Sequence, residues 1–314
     1  MTSFVVISLR EMSACVLLAR LTVKSLPGRE VGPGVRADHH AERDDCDGAR
    51  PKTRRYNPHM TIPATRLLVS VRNVAEAEAA IEGGCDVLDI KEPDRGAMGM
   101  ADPTMIRAIA ACVRELNSAI AVSAALGEIT DWEPARAVPK LLPEIAYLKL
   151  GTAGLGNVRD WATRLAKVME RFDMKLQADA KTPGETASDH SGRNTRWIAV
   201  GYADWELARG PRPEEIITQA ANCGCSGVLL DTFSKAEHRL VDWLSIPRLE
   251  SLAALARAQG LLFALAGRLQ IADLPLLRTV CPDIIGIRSA ACRSGIRTSD
   301  VDSDAVRAFR EALL

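Results

Sequence analysis

The sequence predicts a single (β/α)8 barrel on three observations. From Arg66 onward, short β-branched or Leu-rich runs alternate with amphipathic stretches whose apolar residues fall three and four apart. Eight such alternations fill about 250 residues, the size of one barrel. The runs are near-continuously apolar, as parallel strands covered by helices must be. In chain order the strands are RLLVSV (66–71), DVLDIK (86–91), AIAVSAAL (119–126), IAYLKLG (145–151), WIAVGYA (197–203), GVLLDTF (227–233), LLFALAG (261–267) and IIGIRSA (284–290). Between them lie the helical stretches NVAEAEAAIEGG, PTMIRAIAACVREL, NVRDWATRLAKVMERF, PEEIITQAANCG, PRLESLAALARAQG and IADLPLLRTV, and SDAVRAFREALL closes the chain. EITDWEPARAVPKLLPE, between the third and fourth strands, is the weakest helix because it carries three prolines. KLQADAKTPGETASDHSGRNTR (175–196) reads as a polar surface insertion, with KLQADA as a short extra strand. An open doubly wound sheet is the rival architecture, but no glycine-rich dinucleotide fingerprint follows the first strand.

Residues 1–60 do not share this pattern. From Leu26 to Pro58 the composition is Arg, Asp, Gly, His and Pro with almost no periodic apolar residues, too little to offset chain entropy, so disorder is expected. His39, His40, Asp44 and Asp45 read as part of that solvated tract in preference to metal ligands. TIPATRLLVSV follows Met60 at once, hence the expectation that translation starts there and that residues 1–59 are an upstream extension or a dispensable leader. The catalytic domain is then 61–314. Over the whole chain 40 basic and 40 acidic side chains balance, which argues against nucleic acid or a membrane surface as partner. No apolar run reaches the roughly 18 residues of a spanning helix, so the cytoplasm is the default compartment. The eight cysteines are scattered and read as reduced thiols, and Cys223-Gly-Cys225 lacks the second pair a zinc knuckle needs. Neither a metal nor an organic cofactor is expected, and a homo-oligomer is left open.

In a barrel, polar residues at the carboxyl ends of strands face the catalytic mouth, and strand alternation says which point inward. If Leu88 and Ile90 face the helices, Asp89 and Lys91 face inward; Leu148 and Leu150 leave Lys149 inside; Val228 and Leu230 leave Asp231 inside, with Lys235 just beyond it. Each alone reads as a rim ion pair. An apolar strand ending on one inward lysine, twice over, does not, because burying an unpaired ammonium costs several kcal/mol. Crowding by a second cation and desolvation both disfavour an ammonium, so one amine can be neutral and attack a carbonyl, forming a Schiff base. The other can move protons. Gly267 and Arg268 after the seventh strand, and Arg288 and Ser289 after the eighth, stand where barrels often bind phosphate, although both arginines could equally be rim salt bridges. The residues thus point to a Schiff-base enzyme acting on a small phosphorylated carbonyl compound.

The stretches LLVSVRNVAEAEAAIEGGCDVLDIKEPDRGAMG, VSAALGE, YLKLGTAG, VGYAD, LLDTFSK, LAGRL and DIIGIRSAAC carry a more specific signal. In order and spacing, over about residues 66–295, the chain resembles the (5-formylfuran-3-yl)methyl phosphate synthase family, also called 4-(hydroxymethyl)-2-furancarboxaldehyde-phosphate synthase. The resemblance implies a barrel lyase condensing two glyceraldehyde 3-phosphate molecules into the furan precursor of methanofuran-type cofactors of C1 metabolism. It implies the Schiff-base role for Lys91 and the proton-acceptor role for Lys149, with Asp231 and Lys235 in support. Glu92-Pro93, where the family more often has Asn-Pro, and Arg268, where it has Ser, are departures. Two alternatives remain at this stage: a class I aldolase or transaldolase-like enzyme, and a non-catalytic barrel that binds phosphometabolites.

Overall fold

The computed structural model describes residues 64–116, 119–132, 136–141, 145–180, 195–236 and 238–314. The expected leader (1–60) and most of the expected insertion (181–194) lie outside the described residues. Eight parallel strands close into a barrel in chain order: β1 (Arg66–Val71), β2 (Val87–Ile90), β3 (Ala121–Glu128), β4 (Tyr147–Gly151), β5 (Arg196–Tyr202), β6 (Gly227–Asp231), β7 (Leu262–Leu265) and β8 (Ile284–Ile287), with β8 paired to β1. All eight strands predicted for the barrel are present.

Successive side chains on a strand point to opposite faces, and here the two faces sort by neighbour. Leu88, Ile90, Leu148, Leu150, Val228 and Leu230 join the layer that packs under the helices, with Ile106, Leu165, Ile216 and Leu249. Leu68, Val87, Tyr147, Ile198, Val200, Leu229, Ala264 and Ile284 form a second cluster that fills the lumen. Each buried Leu or Ile contributes roughly 1.5–3 kcal/mol over exposure. A one-residue slip would exchange the two sets along a whole strand, so burial fixes the register. That same register aims Asp89, Lys149 and Asp231 inward.

The covering helices are α1 (Val74–Glu82), α2 (Pro103–Leu116), α3 (Trp161–Ala180), α4 (Pro213–Asn222), α5 (Leu240–Trp243), α6 (Ile246–Ala258), α7 (Leu274–Leu277) and α8 (Ser303–Leu313). Asn73 and Asp302 cap the first and last by accepting backbone N–H groups one turn in. The proline-bearing stretch after β3 forms only a 3-10 turn (Ile129–Asp131), with no α-helix among its described residues. Trp132 packs edge-on against Phe172 of α3 at 4.6 Å, and Phe172 meets Trp197 at 5.8 Å.

Two further segments differ from expectation. KLQADA is not a strand: it is the last turn and a half of α3. Leu176 falls one turn after buried Phe172 and packs on the same core, and Lys175 pairs with Asp179 four residues on at 2.5 Å, so both the apolar stripe and the charge spacing are helical. The second difference is α5, a single turn after β6 that sequence periodicity does not announce.

Candidate active site

The five predicted catalytic residues meet at the carboxyl end of the barrel. Asp89, Lys91, Lys149, Asp231 and Lys235 line one cleft together with Ser70, Gly267, Arg268, Arg288, Ser289 and Arg297. The first four are buried. Asp89 accepts a hydrogen bond from Ser70 Oγ at 3.0 Å and holds Lys149 Nζ at 2.6 Å. Lys235 Nζ bonds Asp231 Oδ1 at 2.7 Å and also donates to the Thr232 carbonyl. Two of the three amines therefore have their own carboxylate. Lys91 does not: among the described residues its Nζ has no hydrogen-bond or ion-pair partner, although the residue is only 7% exposed.

Burial is the main reason that the Lys91 ammonium falls from 10.5 to about 8. Asp231 and Asp89 oppose that fall, while Lys235 and Lys149 assist it. Desolvation thus outweighs cation crowding, partly because Asp89 offsets the charge of Lys149. Burial pushes the Asp231 carboxyl up, but Lys235 and Lys91 outweigh it and hold the group below its ordinary range. An amine that is largely desolvated, unpaired and close to neutrality is what addition to a carbonyl requires.

The residues expected to bind phosphate divide. Gly267 and Arg268 both have positive φ, 107° and 55°. A Cβ on Gly267 would stand 2.9 Å from Thr232 Cγ2, so glycine is required to lay this loop against β6. Arg268 donates from Nη1 to the Lys235 carbonyl at 2.7 Å, and its buried Nε has no partner among the described residues. Ser289 opens a 3-10 turn at the rim.

Arg288 takes the second of the two roles open to it, a salt bridge. Its Nε donates to the Arg297 carbonyl, Nη1 to the Ser70 carbonyl and Glu76, and Nη2 to Glu76 and the Ser299 carbonyl. All five guanidinium donors are occupied within the protein, so none is left for a ligand. Arg288 instead ties α1 and β1 to the loop before α8. That loop carries Arg297, which sequence reasoning missed. Arg297 lines the cleft, donates to the Pro93 carbonyl at 3.3 Å, and is depressed by burial below the ordinary arginine range. Nothing in RSGIRTSD marks it, because the loop has no periodicity from which to infer direction.

Comparison with known proteins now bears on the chemistry. The family described as 4-HFC-P synthase matches residues 67–310, a span that takes in every cleft residue named above. The chain belongs to the 4-HFC-P synthase family. Its relatives in that family include the (5-formylfuran-3-yl)methyl phosphate synthase of Methanothermobacter thermautotrophicus, 36% identical over 79% of this chain and 98% of the relative. Those of Methanopyrus kandleri and Archaeoglobus fulgidus are 34% and 30% identical, over 79% of this chain and 98% and 99% of the relatives. The 4-HFC-P synthase members are named as synthases, so the chain is an enzyme by membership. No described helix is long and apolar enough to cross a membrane.

Proposed function

We propose that the protein is a lyase that condenses two molecules of glyceraldehyde 3-phosphate into 4-(hydroxymethyl)-2-furancarboxaldehyde phosphate for methanofuran-type cofactor biosynthesis. The observation that carries the reading is Lys91, a buried amine with no counter-ion among the described residues, near two amines that each have one. Lys91 Nζ adds to the aldehyde of one triose phosphate and water leaves, giving an iminium that acidifies the α-carbon. Lys149, held at Asp89, takes the α-proton, and the resulting enamine expels the β-phosphate. The remaining three-carbon fragment adds through its phosphate-free end carbon to C2 of the second triose phosphate, which enters as its ketone isomer, the connection that a 4-substituted ring requires. Cyclisation, dehydration and hydrolysis of the imine release the furan. Two trioses thereby give one furan phosphate, one phosphate and two net waters. The retained phosphate sits near Arg268 and Arg297, with the backbone about Gly267 and Ser289 completing the anion site.

Mass spectrometry of a borohydride-reduced adduct tests this. Glyceraldehyde 3-phosphate should label Lys91 in the wild-type protein and in Lys149→Ala, and should leave Lys91→Ala unlabelled. Wild-type protein left unlabelled sinks the imine. A labelled protein whose product lacks furan ultraviolet absorbance is an aldolase instead.

A further inference from the structure

The stretch VGYAD (200–204) takes no part in the chemistry above, yet it ends on a buried carboxylate. Asp204 Oδ1 accepts the N–H of Phe233 at 2.6 Å, and Oδ2 accepts the N–H of Ser234 at 2.7 Å. These two donors belong to the turn that joins Asp231 to Lys235. Inside the turn, the Thr232 N–H donates to Asp231 Oδ1 at 2.8 Å, and Lys235 Nζ folds back onto the same oxygen. The Tyr202 ring meets Phe233 edge-on at 5.4 Å, and its hydroxyl donates to Glu128. The far end of β5 therefore pins the turn by two charge-assisted hydrogen bonds and a ring contact.

We infer that Asp204 is a positioning residue: it holds the 231–235 turn so that Lys235, and not Lys91, is the ion-pair partner of Asp231. The inference rests on the imine reading. Asp231 is the acid shared by the two amines. The charged groups about Lys91 are Asp231, Lys235, Asp89 and Lys149, with Arg268, Arg288 and Arg297 in the same cleft. Asp89 is engaged by Lys149 and Ser70. Asp231 is therefore the acid whose partner can change. About Lys235 stand Asp231, Asp204 and Arg297. If the turn loosens, Lys235 leaves Asp231, Asp231 faces Lys91 alone, and the repulsion between the two amines falls. Both changes favour the ammonium form of Lys91 and slow attack at neutral pH.

The experiment measures the rate of borohydride trapping with glyceraldehyde 3-phosphate from pH 5 to 10, after circular dichroism has established folding. Asp204→Ala should move the midpoint up by about one pH unit. That slows trapping at pH 7 by about tenfold, because each unit changes the neutral fraction tenfold. At high pH the variant should trap within about twofold of wild type, since the nucleophile itself is intact. Lys235→Met should shift the midpoint in the same direction, and adding Asp204→Ala to it should shift nothing further, because both act through one contact. A folded Asp204→Ala with the wild-type midpoint overturns the proposal, as does a shift that adds to that of Lys235→Met. Where the alanine variant does not fold, Asp204→Asn keeps the shape without the anion. Ser234→Pro deletes one donor and leaves the carboxylate in place, and each carries the same prediction and refutation. No adduct in the wild-type protein would overturn the imine reading itself, whereas adduct with an unchanged midpoint overturns only the role of Asp204.

Discussion

Two cations of nearly equal burial stand at the mouth of this barrel, Lys91 at 7% exposure and Arg288 at 8%. Arg288 has a partner for every donor, and Glu76 is shared with Arg72. Although burial pushes the Glu76 carboxyl up, those two guanidinium groups hold it below its ordinary range. Among the described residues Lys91 has no such partner. Equal burial with opposite satisfaction separates a charge that supports the fold from one that the proposed reaction would use. The shift of Lys91 from 10.5 to about 8 corresponds to a cost of about 3 kcal/mol at neutral pH. Because the folded value lies below the unfolded one, that cost is full below pH 8 and disappears as pH rises through 10.5. Stability should rise with pH across that window.

The comparison breaks most sharply at Lys91. Lys91→Met removes the proposed nucleophile and the unpaired charge together. Furan formation should fall by at least about 10³-fold and the reduced adduct should vanish. In the same protein, the denaturant midpoint at pH 7 should rise, by up to about 3 kcal/mol in unfolding free energy. A variant that is inactive and also less stable would mean that Lys91 is a satisfied structural charge after all. Lys149→Gln comes next. It should keep adduct formation while turnover drops by about 10²–10⁴-fold, the usual range for a lost acid or base. Loss of the adduct instead would place the nucleophile at Lys149.

Arg288→Met probes the other side. It leaves Glu76 buried with Arg72 as its one guanidinium partner, and unfolding free energy should fall by about 3 kcal/mol. Adduct formation by the protein that remains folded should persist. Glu76 contributes its stability above its unfolded value, and that contribution is lost as pH falls through the folded one. The variant's melting temperature should accordingly vary less with pH on the acid side than the wild type's. An unchanged acid limb would mean that the Arg288–Glu76 pair contributes little to stability.

What sequence could and could not say follows the same division. Lys91 and Lys149 were readable because each ends an apolar strand, where the alternation of Leu88 and Ile90, or Leu148 and Leu150, fixes direction. Arg288 occupies the same kind of position, and its direction toward the mouth was read correctly. Its role stayed open between phosphate and a salt bridge, because the partners that occupy it lie at Ser70, Glu76, Arg297 and Ser299, far apart in the chain and brought together only by closure of the barrel. KLQADA was misread because six residues are too few to separate a two-residue from a 3.6-residue period; the decisive neighbour, Phe172, lies outside the window. Asp204 sits in a quoted motif, but its work is to accept N–H groups from another loop, and backbone donors leave no trace in side-chain identity.

The finest test of the contrast is Arg297, which stands between the two extremes. It is half-buried, one Nη2 contact to the Pro93 carbonyl at 3.3 Å is weak, and burial depresses it below the ordinary arginine range. A partly desolvated guanidinium with donors to spare gains most from an anion, through charge-assisted hydrogen bonds worth about 1.5–3 kcal/mol when well shielded. Solvent access at Arg297 places the expected effect at the lower end. Arg297→Met should therefore raise KM for glyceraldehyde 3-phosphate by about tenfold with kcat changed less than about threefold, and should weaken competitive inhibition by inorganic phosphate in parallel. A fall in kcat with KM unchanged would instead make Arg297 a member of the supporting network that Arg288 builds, since the Arg288 guanidinium already grips the backbone carbonyl of that same residue.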